Sequence, residues 1–188
     1  MAGQIKIGVF IPNDAQTLDV ATVDILGVMS KEYIAPMDFI PSHLGALAPS
    51  VTVYYITTPK NGKEISLTSG MVIKSTHLYT DDEVAPGRLD LVVVPGPDPR
   101  YPQFEAGALA WLASQAATEG VDILSVCTGA YVCGASGIAD GKKFSGPRGV
   151  QDDLRKRYPL MKLVGDDHRW VRDGNIWSSG KVPYSSRV

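Results

Sequence analysis

One short segment constrains the fold of this chain more than any other: an apolar run that stops at a cysteine and continues into small residues. The run 123–126 leads to Cys127, Gly129 follows two residues later, and the small-residue stretch 130–137 comes next. This pattern is typical of a buried strand, a sharp turn and a closely packed helix, as in a nucleophile elbow with Cys in place of Ser. The turn would lift the thiol to the carboxyl end of a sheet, where a helix amino terminus favours the thiolate.

The same cysteine has a second interpretation, as an inert buried residue, because free cysteine is among the most frequently buried residue types. Residues 123–131 alone leave both interpretations open. The chain has two cysteines, Cys127 and Cys133, and their spacing fits neither a CxxC redox pair nor a zinc-ligand pattern. We therefore expect no metal and no cofactor, and a reducing compartment rather than a disulfide framework.

Length and charge narrow the class of protein. The 188 residues, 44% hydrophobic and 20% charged, predict one globular domain over residues 1–188. A net charge of −2 without a basic run argues against a nucleic-acid partner. No apolar stretch approaches the ~18 residues of a membrane span. The amino terminus enters a strand without a signal region, so we expect a cytoplasmic protein with no membrane partner.

Apolar strands alternate with helices along the chain. Strands are predicted at 5–11, 51–57, 89–94, 123–126, 162–164, 169–172 and 176–178, a hairpin at 65–75, and helices after residue 19, at 106–118, after the elbow and at 150–158. This order predicts an α/β fold with a mostly parallel sheet sandwiched by helices. Sites in such sheets form outside the carboxyl ends of strands, so Asp19, Gly96 and Cys127 should meet at one edge.

Asp19 also has two interpretations. Aspartate is well suited to cap the amino terminus of the helix that follows it. Alternatively, it is a functional carboxylate at the mouth of the first strand–helix loop. The expected convergence with Cys127 favours a functional site without excluding the cap.

With these residues placed, the chain resembles the ThiJ/PfpI family of class I glutamine-amidotransferase-like proteins, from Ile5 to about Gly180. The segments that carry the resemblance are 17–19, 91–96, 125–130, Asp167 and 169–180. Cys-Thr-Gly with an Asp after the first strand is most similar to the isonitrile hydratase branch. The resemblance implies a flavodoxin-like sheet, a small-molecule substrate and a homodimer.

The resemblance also implies roles for individual residues. Cys127 would be the nucleophile, and Asp19 the acid that shares a proton with it and has its own pKa raised by the neighbouring thiolate. Gly96 and the backbone near Thr128 would contribute to oxyanion or substrate binding. Arg148 would be a cationic partner of the substrate or thiolate, or else a solvated charge at a helix start.

Three departures from the family pattern stand out. Pro97, which has no N–H, replaces a glycine whose N–H is an expected oxyanion donor. Pro147 lies where many relatives carry a histidine, and nothing in the sequence brings His77 or His168 to the elbow instead. Residues 181–188 form an atypical tail in place of a long apolar helix, which would leave an apolar patch on one sheet face.

Several functions therefore remain open. Cys127 and Asp19 could hydrate an isonitrile, act on an amide-like substrate, or add to an aldehyde as in glyoxalases. A redox-sensing or stress-protective protein would instead oxidise Cys127 to a sulfenic or sulfinic acid. A non-catalytic ligand-binding domain would carry the elbow as a vestige.

Overall fold

The computed structural model describes residues 3–180 and shows the predicted alternation of strands and helices. The strands are β1 (Gln4–Phe10), β2 (Ser50–Thr57), β3 (Glu64–Ser66), β4 (Val72–Lys74), β5 (His77–Leu78), β6 (Leu91–Val94), β7 (Asp122–Val126), β8 (Lys143–Phe144), β9 (Lys162–Leu163), β10 (Trp170–Asp173) and β11 (Ile176–Ser179). The helices are α1 (Thr17–Val28), α2 (Lys31–Ile34), α3 (Ser42–Gly45), α4 (Ala106–Ala117), α5 (Gly129–Ala135) and α6 (Gln151–Arg157). Helices α2 and α3 lie in the connection between α1 and β2.

The main sheet is mostly parallel, as predicted. Within residues 3–180 it has seven strands in the order β10-β11-β7-β6-β1-β2-β5. Every pairing in it is parallel except that of β10 with β11. The predicted hairpin is β3–β4, a separate antiparallel pair, and β8 pairs with β9 beside the main sheet. The α/β prediction is therefore confirmed.

Both faces of the sheet are apolar because helices cover each of them. Alternate residues of a strand point to opposite faces. On β6, Val92 packs in one core with Trp111 of α4. Its neighbour Val93 packs in the other core with Val23 of α1. This two-sided burial explains why the central strands read as continuous apolar runs rather than as alternating ones.

The topology places three chain segments at one edge of the sheet. Strands β1, β6 and β7 are neighbours and run parallel, so their carboxyl ends lie together. They lead to α1, to the loop 95–99 and to the turn at Cys127. No helix in the described part of the chain is long and apolar enough to cross a membrane. The tail that we predicted to be atypical, 181–188, lies outside the described residues.

Candidate active site

The turn between β7 and α5 has the geometry of an elbow. Cys127 has a φ of 56° and is the one non-glycine residue with positive φ between residues 3 and 180. A left-handed conformation costs an ordinary residue about 1–2 kcal/mol, so the surrounding structure must impose it. The Cys127 N–H donates to the carbonyl of Ser179 on β11, with 2.8 Å between N and O. The predicted strand–turn–helix is confirmed, and the strain falls on the cysteine itself.

The close packing of the elbow against β6 requires a glycine at position 129, two residues after Cys127. A Cβ on Gly129 would collide with the backbone carbonyl oxygen of Val94 on β6. We expect Gly129→Ala to lower the free energy of unfolding by about 1–3 kcal/mol, because a backbone atom cannot move aside as a side chain can. The measurement is urea unfolding monitored by circular dichroism.

Gly27 provides the matched control for that substitution. It lies within α1, and a Cβ added there meets no atom within 4 Å. Gly27→Ala should therefore raise stability by about 0.5–1 kcal/mol, the difference in helix propensity between the two residues. Equal effects of the two substitutions would show that Gly129 does not set the packing of the elbow.

Asp19 is buried in the first turn of α1 and points into the site. The N-cap of this helix is Gln16, so the interpretation of Asp19 as the cap is wrong. The Asp19 carboxylate accepts a hydrogen bond from the Gly96 N–H, with 3.1 Å between N and Oδ2, and another from the Cys127 thiol. The structure thus brings together the thiol and carboxyl groups predicted from sequence.

Gly96 holds Asp19 in place. Its N–H is engaged by the carboxylate, so the described geometry gives it a positioning task, while its predicted oxyanion role stays a prediction. The residue must lack a side chain, since a Cβ would lie 2.6 Å from the Asp19 carboxylate and 2.8 Å from the Thr128 nitrogen. The carboxylate and the elbow therefore both approach the backbone of this loop.

Thr128 of the elbow forms hydrogen bonds to both other segments of the site, the loop after β6 and the start of α1. Its buried hydroxyl donates to the Pro97 carbonyl at 2.7 Å and accepts a hydrogen bond from the Gln16 side-chain amide at 3.4 Å. The Gln16 N–H donates in turn to the Gly96 carbonyl at 2.8 Å. Sequence reasoning missed Gln16, because a glutamine in a loop carries no local signal for this contact.

The electrostatics of the thiol differ from our expectation. Burial raises the pKa of Cys127 to about 12, and the negative charge of Asp19 acts in the same direction. The Thr128 backbone N–H acts in the opposite direction but is outweighed. Desolvation is the largest of these effects, because the Cys127 side chain lies almost wholly out of water. The neutral thiol is therefore the favoured form in this structure, in contrast to the thiolate that we expected at the helix terminus.

Pro147, at the position where the resemblance led us to expect a histidine, packs against the residue that follows β11. Pro147 and Gly146 pass against Gly180, where an added Cβ would come 3.0 Å from the Pro147 nitrogen. Gly180 directly follows Ser179, whose carbonyl binds the Cys127 N–H. Proline has no titratable side chain, so Pro147 cannot act as the general base that a histidine would provide at this position.

The other titratable candidates lie elsewhere. Arg148 is exposed, and no hydrogen bond or ion pair between described residues joins it to the elbow, so its role stays a prediction. His77 lies on β5, at the far edge of the sheet, and contacts Tyr54. Among residues 3–180, no three His, Cys, Asp or Glu side chains are grouped as metal ligands would be.

The fold and the site together define a class of protein: a parallel α/β sheet with a buried cysteine at a strand–helix elbow. A family model for the DJ-1/PfpI family matches residues 22–187. The chain belongs to this family, as the sequence resemblance predicted. The match includes Gly96, Cys127 and Thr128, whereas Asp19 lies just before its first residue.

Comparison with individual proteins agrees with this assignment. The chain is 31% identical to an isonitrile hydratase from Pseudomonas putida over 143 residues, which are 76% of this chain and 58% of that protein. A ThiJ/PfpI family protein from Pseudomonas syringae superimposes on 96% of this chain and 64% of its own, with a TM-score of 0.69 and 20% identity. A DJ-1 superfamily protein from Salmonella typhimurium superimposes with a TM-score of 0.67 and 20% sequence identity, over 94% of this chain and 81% of its own. The two structures show a shared fold, and this chain spans less than two thirds of the first two relatives.

Proposed function

We propose that this protein hydrates isonitriles to N-substituted formamides, with Cys127 as the nucleophile and Asp19 as the proton donor and acceptor. The observation that carries the proposal is the hydrogen-bonded pair of a buried thiol and a buried carboxyl group at a strained elbow. The similarity to an isonitrile hydratase supports the choice of substrate.

The reaction would proceed in two stages. In the first, the sulfur of Cys127 bonds to the terminal carbon of the isonitrile, and the thiol proton passes by way of Asp19 to that carbon, giving a thioimidate. In the second, Asp19 takes a proton from a water molecule as the water oxygen bonds to the same carbon, and passes that proton to the nitrogen. The carbon–sulfur bond then breaks as the hydroxyl oxygen forms the formamide carbonyl, and the hydroxyl proton returns to the sulfur, which restores the thiol. The sum is addition of one water to the isonitrile.

The raised pKa of Cys127 suits this chemistry. A thiol protonated at neutral pH brings both the nucleophilic atom and the proton that the substrate carbon must gain. The hydrogen bond from the thiol to Asp19 gives that proton a path at the start of the reaction. A low-pKa thiolate would lack this proton and would need another donor.

The departures from the family pattern also favour hydration over acyl transfer. Acyl transfer places negative charge on a carbonyl oxygen and relies on an oxyanion hole and a base such as histidine. Pro97 offers no N–H and Pro147 no imidazole at the corresponding positions. Addition to an isonitrile carbon forms no oxyanion in its first stage. The two prolines should therefore impair isonitrile hydration less than they would impair acyl transfer.

Turnover of an alkyl isonitrile by the purified chain tests this proposal. We expect the corresponding formamide to appear, as detected by proton NMR and mass spectrometry. Methylglyoxal, assayed in parallel for lactate, distinguishes the glyoxalase-like alternative. Lactate without formamide, or neither product from folded protein, would contradict isonitrile hydration.

The pH dependence of Cys127 alkylation provides a further prediction. Because its pKa is raised to about 12, the thiolate fraction should grow about tenfold per pH unit from pH 7 to 11. The iodoacetamide rate, followed by peptide mass spectrometry, should rise accordingly without a plateau near pH 8.5. Cys133, which is fully buried, serves as the internal control and should remain unmodified while the protein is folded.

A plateau of the alkylation rate between pH 5 and 8 would reverse that conclusion. It would show a thiolate at neutral pH and would favour the redox-sensing alternative, because oxidation proceeds through the thiolate. With its raised pKa, the Cys127 thiol does not favour that form in the described state.

A further inference from the structure

The thiol and the carboxyl group of the candidate site are both shut off from water. Cys127 is 2% exposed and Asp19 is 4% exposed. A molecule larger than water cannot reach two such groups while every surrounding segment stays in place. Enzymes that bury their reacting groups admit the substrate by moving a loop or a hairpin. A reaction at this thiol therefore requires one covering segment that moves without dismantling the site.

Most segments around the site are held by its own hydrogen bonds. The loop after β6 binds Asp19 through the Gly96 N–H. The start of α1 binds Thr128 through the Gln16 side chain, and the end of β11 binds the elbow through a backbone carbonyl. Movement of any of these segments would break the arrangement that holds the thiol beside the carboxyl group.

The hairpin 64–74, formed by β3 and β4, is the exception. It is a two-stranded sheet of its own, outside the main sheet. The hydrogen bonds that hold the site join α1, β11, the elbow and the loop after β6, and they leave this hairpin out. Leu67 of the hairpin is nevertheless buried in the same apolar core as Cys127. The hairpin therefore packs against the site without belonging to its hydrogen-bonded framework.

The tip of the hairpin, residues 67–71, is fastened to the start of α1. The Thr68 N–H donates to the Ala15 carbonyl, with 3.0 Å between N and O. The hydroxyl groups of Ser69 and Thr17 share a hydrogen bond, with 2.6 Å between the two oxygens. Both contacts lie beside the helical turn that carries the carboxylate of the site, so the tip closes over that turn.

The base of the hairpin has the features of a hinge. Gly62 has a positive φ of 66°, and a Cβ added there would meet no atom within 4 Å. On the other strand, the Ser75 N–H donates to the Lys63 carbonyl at 3.0 Å, and the Ser75 hydroxyl donates to the Gly62 carbonyl at 3.0 Å. Met71 and Val72, near the tip, are more than half exposed. A rotation about this base would carry the tip away from α1 into solvent.

We propose that the hairpin 64–74 is a lid, which rotates about its base to admit the substrate and closes over Cys127 and Asp19 during the reaction. The described structure is the closed state. In the open state, Leu67 leaves the core that it shares with the thiol, and the hydrogen bonds of the site stay intact. The thiol then meets solutes from which the closed lid withholds it.

A reversible cross-link between Thr17→Cys and Ser69→Cys tests the lid. The native hydroxyl oxygens lie 2.6 Å apart, so two sulfur atoms at these positions can form a disulfide. In the full chain with both substitutions, oxidation should slow the alkylation of Cys127 by iodoacetamide at about pH 9 by at least ~10-fold, and reduction should restore it. Peptide mass spectrometry reports Cys127 separately from the introduced residues.

Glu64→Cys combined with Lys74→Cys is the matched control. The two residues are directly opposite in the β3–β4 ladder, so oxidation joins the strands of the hairpin to each other but not to α1. The hairpin remains free to rotate as a unit. The alkylation rate of Cys127 should therefore differ by less than about twofold between the oxidised and reduced forms.

Removal of one contact at the tip tests the same lid without a cross-link. Ser69→Ala deletes the hydroxyl that bonds to Thr17, so the open state should be more populated and Cys127 should be alkylated about three- to tenfold faster. Cys133, which is fully buried in the opposite core, should stay unmodified in this variant. That internal control separates opening of the lid from unfolding of the protein.

Equal alkylation rates of Cys127 in the oxidised and reduced forms of the Thr17→Cys, Ser69→Cys chain would overturn the lid. A native rate in Ser69→Ala would also overturn it. These readouts follow access to the thiol and need no turnover, so the lid and the proposed isonitrile hydration succeed or fail separately.

Discussion

Cys127→Ser is expected to lower isonitrile turnover by at least ~10³-fold while the protein remains folded. The hydroxyl would occupy the place of the thiol beside Asp19, but oxygen at that position is a much weaker nucleophile towards carbon. The left-handed backbone is equally strained with either residue, so stability should change little. Formamide production under saturating isonitrile, together with an unfolding curve, measures both effects.

Cys133→Ala is the control for that experiment. Cys133 lies on α5, which follows the elbow, is completely buried and packs in the opposite core from Cys127. Its loss should cost some stability through the small cavity that it leaves, yet leave turnover within about twofold of native. Retained turnover in Cys127→Ser would disprove the nucleophile assignment, and equal loss in both variants would indicate a packing effect.

Asp19→Asn should reduce turnover by about 10²–10⁴-fold, the usual contribution of a general acid–base group. The amide oxygen can still accept the Gly96 N–H, so the site should keep its shape. Because the Asp19 charge contributes to the raised pKa of Cys127, removing it should lower that pKa and speed alkylation at a given pH. Turnover and alkylation should thus change in opposite directions, which simple unfolding of the site would not produce.

Asp24→Asn provides the comparison on the same helix. Asp24 is exposed on α1, away from the thiol, and its substitution should leave both turnover and the alkylation profile unchanged. If Asp19→Asn slowed alkylation as well as turnover, the result would contradict the conclusion that the Asp19 charge raises the pKa of Cys127.

The main architecture could be predicted because its causes are local. Apolar runs of strand length, followed by helical patterns, require a parallel sheet covered on both faces, and the structure has that sheet. The elbow could be predicted for the same reason, since a strand that ends in Cys127 and a following Gly129 permit the sharp turn. The meeting of Asp19 with Cys127 followed from the rule that parallel strands align their carboxyl ends.

Other features depend on residues far apart in sequence. Whether Asp19 caps its helix or faces the thiol is decided by Gly96, 77 residues away, which approaches closely enough to donate its N–H. The hydrogen bond between Gln16 and Thr128 joins residues 112 positions apart, and the sequence around each of them gives no sign of it. Neither this contact nor the orientation of Asp19 could be predicted from hydrophobic periodicity or secondary-structure propensity.

The sequence by itself determined the α/β fold, the cysteine at the end of a buried strand and the carboxylate expected beside it, because hydrophobic pattern and turn chemistry act over a few residues. Tertiary structure alone decided the state of that cysteine. The loss of water around the thiol and the proximity of the Asp19 charge raise its pKa, and both are consequences of packing among separate segments. Tertiary structure also decided that β10 is the terminal strand of the main sheet within residues 3–180, since strand order depends on every other strand in the sheet.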